Sequence, residues 1–141
     1  MILLDTDTLS LFLRSSRQYP ELFRRIREVP LNDLYISAIT VGEIMEGGLA
    51  LIRKLQPKDQ EAAGYKLLID HFEALKSFAI LPYDTEAETI FRLKLPKNIR
   101  RQGRQDCQIA AIALTHEATV ITRNERHFAQ IPSVVFENWV D

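Results

Sequence analysis

The chain opens on three apolar residues, Ile2, Leu3 and Leu4, that stop abruptly at Asp5. A short continuous apolar run closed by a carboxylate predicts a buried strand of a parallel sheet. From about Thr8 the spacing becomes helical, with Leu9, Phe12 and Leu13 on one face. A second helix is predicted over 20–28, with Pro20 in the first turn, where an N–H is not needed. Leu34-Tyr35-Ile36-Ser37 reads as another strand. Thr40 then opens a long helical pattern carrying Val41, Ile44, Met45, Leu51, Ile52 and Leu55, which Pro57 breaks. Residues 58–76 repeat the helical spacing through Tyr65, Leu68, Ile69, Phe72 and Leu75.

A third strand follows at 78–81, then a helix capped by Asp84 and carrying Ile90, Phe91, Leu93 and Leu95. Asp106 heads a strongly apolar helix reaching Leu114, and strands at 119–122 and 134–136 complete the pattern. Strands alternating with helices predict an α/β fold, a roughly five-stranded parallel sheet with helices on both faces. No repeat or flexible linker interrupts 1–141, so a single domain is expected. In such sheets ligands bind beyond the carboxyl ends of the strands.

Composition narrows the chemistry. A chain of 141 residues, 46% of them hydrophobic, can bury a core unaided. The formal net charge of −1 supplies no global field for nucleic acid, so such binding must rest on local patches. The lone Cys107 excludes an internal disulfide and a thiolate zinc cluster, which suits a reducing compartment. The start lacks a signal peptide's basic segment, and no apolar run reaches membrane-spanning length. The expected location is the cytoplasm.

Acids then stand out by position. Asp5 directly follows the first strand and Asp7 lies two residues on. Glu43 falls in the first turn of the helix that Thr40 opens, and Asp106 in the first turn of a later one. Asn124 follows the fourth strand. The topology directs all of them to one edge of the sheet. Gathered carboxylates repel one another unless a cation joins them, and Mg2+ or Mn2+ suits hard oxygen ligands. His71, His116 and His127 are scattered, with no partner at nucleophile or zinc spacing.

Each acid has a plainer reading. Asp5 can cap the first helix, and Asp7 can favour its positive end. Thr40-Val-Gly-Glu43 fits a capping box. Asp106 can complement a helix dipole, although it shares a face with Ile109, Ala110 and Ala113. Asn124 alone reads as a turn residue. Asp5-Thr6-Asp7-Thr8 also fits the Asp-x-Asp-x-Thr motif of haloacid-dehalogenase-type phosphatases, in which Asp5 would be a covalent nucleophile.

Ile2-Leu-Leu-Asp5-Thr6-Asp7-Thr-Leu9 resembles the opening motif of PIN domains. Ile36-Ser-Ala-Ile-Thr40-Val-Gly-Glu43 and Gly103-Arg-Gln-Asp106-Cys-Gln-Ile109 resemble the family's second and third motifs. Thr122-Arg-Asn124-Glu-Arg-His-Phe128, followed by Phe136-Glu-Asn-Trp139, is similar to the ending of the VapC-type toxins. Four motifs in this order span almost the whole chain. The resemblance implies a metal-dependent ribonuclease acting as the toxin of a toxin–antitoxin pair, with Asp5, Glu43 and Asp106 as catalytic acids and metal ligands. Asn124 falls where relatives carry a fourth acid or an Asn, and Asp7 where many carry Asn. An inactive PIN scaffold that only binds RNA or protein is the rival from another class.

Lys94, Lys97, Arg100, Arg101 and Arg104 run without an intervening acid, and Arg123 and Arg126 flank the last motif. Such a run is either a solvated helix face or a rim that grips phosphates beside an acidic centre. Thr6, Arg104 and Arg123 are the candidate substrate-binding residues. Apolar residues over 20–28 and 41–75 exceed what one small sheet needs. They offer a groove for a cognate antitoxin and a face for a homodimer or hetero-oligomer.

Overall fold

A computed structural model describes residues 1–14 and 17–141. Strands β1 (Ile2–Leu4), β2 (Leu34–Ser37), β3 (Ala79–Leu81), β4 (Thr119–Ile121) and β5 (Val135–Glu137) form one sheet in the order β3-β2-β1-β4-β5. Every pairing is parallel, and Leu4 lies level with Ile36 on one side and Ile121 on the other. The expected five-stranded parallel α/β fold is therefore the one observed. The chain builds outward from β1 to β3 and then returns to the far side of β1 for β4. This places a topological switch point between β1 and β4, where such sheets open a crevice.

The pleat sends successive side chains to opposite faces, and each face has its own core. Leu3 and Val120 join the buried residues of α5 (Thr85–Leu93) and α7 (Arg104–His116), among them Phe91, Ile109 and Ile112. Leu4, Ile36 and Ile121 face Leu9 of α1 (Thr6–Arg14), Leu22 and Ile26 of α2 (Pro20–Glu28), and Leu75 of α4 (Glu61–Leu75). The longest helix, α3 (Ala38–Lys54), packs Val41, Ile44 and Met45 against this second core.

Several elements differ from the sequence expectation. Helix α1 starts two residues earlier, immediately after Asp5. Helix α3 begins directly at the end of β2, and Ser37 caps it by accepting the Thr40 N–H at 3.0 Å. The Thr40–Glu43 capping box is thus absent, and Glu43 sits in the second turn. Helix α4 buries only Leu75 and leaves Tyr65, Ile69 and Phe72 exposed, because its helical spacing meets α3 rather than the sheet. Two short helices were not expected, α6 (Lys97–Gln102) and α8 (Glu125–Phe128). Among the described residues no helix is long and apolar enough to cross a membrane.

Candidate active site

The parallel ladder delivers Asp5 and Thr122 to the same edge. The Asp5 N–H extends the β1–β4 ladder by one bond, to Ile121 O at 3.1 Å. The Asp5 side chain is then held at the switch point, only 3% exposed. Its Oδ1 accepts the Thr8 N–H at 2.8 Å, so Asp5 caps α1 as well as occupying the site. The two readings of this residue are compatible, since a carboxylate has a second oxygen. Burial pushes the Asp5 carboxyl up from its ordinary range, against hydrogen bonds from the Thr122 hydroxyl and the Thr8 N–H that hold it down.

Glu43 reaches the same edge from α3. Its Oε1 accepts the Thr6 hydroxyl at 2.7 Å, and Thr6 Oγ1 lies 3.0 Å from Thr40 Oγ1. Ser37 Oγ donates to Thr40 Oγ1 at 3.2 Å. With the Thr40 N–H donating to Ser37, these bonds run in one direction and end on the Glu43 carboxylate. Each hydroxyl donates once and accepts once, so Thr6 is committed to orienting Glu43. Burial raises the Glu43 carboxyl most. Thr6 opposes this, and the charges of Asp106, Asp7 and Asp5 add to it.

Asp106 enters from the first turn of α7, whose N-terminal end lies at the carboxyl edge because α7 runs against the strands. Its Oδ2 accepts the Asn124 side-chain amide at 2.9 Å and faces His127 Nδ1 at 3.2 Å. Asn124 is positioned by its own N–H, which donates to Thr122 Oγ1 at 2.9 Å. The four candidates Asp5, Glu43, Asp106 and Asn124 therefore share one edge. His127, set aside in the sequence as isolated, makes a contact that its spacing from Asp106 does not announce.

The basic candidates divide between two places. Arg123 lines a hollow of about 510 Å3 with Asp7, Asn124 and Asp141, and pairs with Asp141 at 3.3 Å. Arg104 stands beside Lys97, Arg100 and Arg101, its guanidinium 5.0 Å from the Phe91 ring centre. Asp7 is exposed at the rim. A separate groove of about 670 Å3 starts at Thr6 and Glu43 and is lined by α1, α3 and α4, past Leu13, Arg14, Ile44, Leu51 and Leu67.

The acids are all oxygen donors. Among the described residues, neither Asp5 nor Glu43 forms an ion pair with a protein cation, and no Lys or Arg pairs with Asp106. No three potential ligand side chains stand close enough to hold one ion as placed. The donor chemistry and the uncompensated charge fit a hard divalent cation.

The sequence model described as PIN domain matches residues 2–134. This chain belongs to the PIN domain family. Toxin FitB of Neisseria gonorrhoeae is 31% identical to this PIN domain over 145 aligned positions, covering 100% of both chains. Ribonuclease VapC2 of Rickettsia felis is 26% identical over 113 positions, covering 77% of this chain and 75% of its own. A solved toxin–antitoxin complex from Klebsiella pneumoniae contains a chain with a TM-score of 0.65 and 26% identity, covering 96% of each. Membership of the PIN domain family displaces the phosphatase reading of Asp5-Thr6-Asp7-Thr8.

Proposed function

We propose that this PIN domain is a divalent-metal-dependent ribonuclease and the toxin of a toxin–antitoxin pair. The observation that supports the reading is that Asp5, Glu43 and Asp106 lie towards one carboxyl edge of the sheet, none of them paired with a Lys or Arg among the described residues. Relatives named as a toxin and as a ribonuclease supply the substrate class. Asp5, Glu43 and Asp106 would hold Mg2+ or Mn2+, which when bound supplies positive charge for a phosphodiester and acidifies water. The chain's own residues prepare the site. Thr6 fixes the Glu43 carboxylate, Asn124 fixes Asp106, and burial keeps Asp5 out of bulk solvent. Arg123 and Arg104 grip backbone phosphates on either side of the acids, drawing RNA towards a centre that its own charge would otherwise repel.

The groove lined by α1, α3 and α4 supports an antitoxin as partner. It begins at Glu43 and continues over apolar residues, so an apolar helix can lie in it while its polar end reaches the acids. RNA cleavage should require added Mg2+ or Mn2+ and stop in excess EDTA, followed on a denaturing gel. Undiminished cleavage in chelator overturns the metal mechanism.

A further inference from the structure

Resting on that reading, we infer that His127 is a positioning residue. Through Nδ1–H it holds Oδ2 of Asp106 together with Asn124, leaving Oδ1 as the oxygen offered to the metal. His127 is 7% exposed. Its Nδ1 faces Asp106 Oδ2 at 3.2 Å, and its Nε2 faces the Ile99 carbonyl of α6 at 3.4 Å. A carboxylate oxygen only accepts, so the contact with Asp106 puts a proton on Nδ1. Both donors, Asn124 Nδ2–H and His127 Nδ1–H, converge on the same oxygen. Among the described residues, Oδ1 has no hydrogen bond within the protein.

Gly103 is part of this arrangement. Its φ of −169° is open to any residue, so conformation does not demand glycine there. Space does: a Cβ at Gly103 would lie 2.7 Å from His127 Cε1 and 3.2 Å from Nδ1. The glycine at the break between α6 and α7 thus leaves room for the imidazole to pack beside the backbone and reach Asp106. Groups that orient a metal ligand from behind change metal affinity by about 10–100-fold when removed.

The test is Mn2+ binding by electron paramagnetic resonance on the full chain, with folding checked by circular dichroism. An Asn amide nitrogen falls near the position of imidazole Nδ1, and a Gln nitrogen near Nε2. His127→Asn should therefore bind Mn2+ within about threefold of the parent, while His127→Gln should bind on the order of 10–100-fold more weakly. Gly103→Ala, which keeps every polar group but displaces the ring, should weaken binding as His127→Gln does. The 15N spectrum of the parent protein at neutral pH should show the proton on Nδ1 of His127, with the signal assigned by elimination using His71→Gln and His116→Gln.

The inference is overturned by a folded His127→Gln or Gly103→Ala protein that binds Mn2+ like the parent. It is equally overturned by equal losses in His127→Asn and His127→Gln, which indicate packing alone, or by an unprotonated Nδ1. A parent protein that binds no Mn2+ overturns the metal reading itself. If His127→Gln fails to fold, Gly103→Ala and the nitrogen spectrum decide.

Discussion

Asp5 combines two opposed contributions that two substitutions separate. As the cap of α1, its Oδ1 receives the Thr8 N–H at 2.8 Å. As a buried carboxylate beside Asp7, it carries a charge that the metal-free fold disfavours. Asp5→Asn keeps an oxygen for the cap and removes the charge. Asp5→Ala removes both and leaves the buried Thr8 N–H without its acceptor, a loss of about 2 kcal/mol. For a chain of this size, about 2 kcal/mol is roughly 5–8 °C in Tm.

At neutral pH in EDTA, Asp5→Asn should melt no lower than the parent and Asp5→Ala clearly lower, while neither cleaves RNA. The pH dependence follows from sign. The native carboxyls of Asp5 and Glu43 lie above their ordinary values of 3.8 and 4.5. Their contribution to metal-free stability is complete below those values and is lost as pH rises through the raised native ones. Asp5→Asn should flatten part of that decline, and saturating Mg2+ should reverse it in the parent. Calorimetric melts across the acid-to-neutral range are the measurement. An Asp5→Asn protein several degrees less stable than the parent in EDTA would refute the argument, since the charge would then be stabilising. An Asp5→Asn protein that cleaves RNA would remove Asp5 from the chemistry.

Two further outcomes test the site's borders. Asp7→Asn should keep most of the RNA cleavage, because Asp7 is exposed and acts on Asp5 and Glu43 only through its charge; near-complete loss in a turnover assay would place Asp7 in the chemistry itself. Leu67→Glu puts a charge into the apolar stretch of the groove lined by α1, α3 and α4. It should release a co-expressed antitoxin on gel filtration, and an intact complex would place the partner elsewhere.

The strands and the acids were readable in the sequence for the same reason. A parallel strand buried on both faces is a short apolar run, and whatever follows it lies at the carboxyl edge. Ile2–Leu4 followed by Asp5 declares both facts locally. Contacts that depend on how elements meet were not readable. Ser37 and Thr40 are both residues that cap helices, and only the abrupt passage from β2 into α3 makes Ser37 the cap. That shift moves Glu43 from the first turn to the second, where Thr6 can reach it at 2.7 Å. The spacing over 61–75 states that α4 has an apolar face but not what covers it. In the fold much of that face stays open, with Ile69 57% and Phe72 44% exposed.

His127 is the sharpest case. It lies 21 positions from Asp106, with a whole strand between them. Nothing local distinguishes it from His71 or His116. Its role follows from α7 returning along the sheet, so that the start of α7 and the turn after β4 meet at the switch point. The missing side chain at Gly103, read in the sequence only as part of a motif, is what makes room for that meeting. Acids at strand ends identify where a site lies. The residues that set the direction of those acids come from elements the topology brings together, and these become visible only once the sheet order is known.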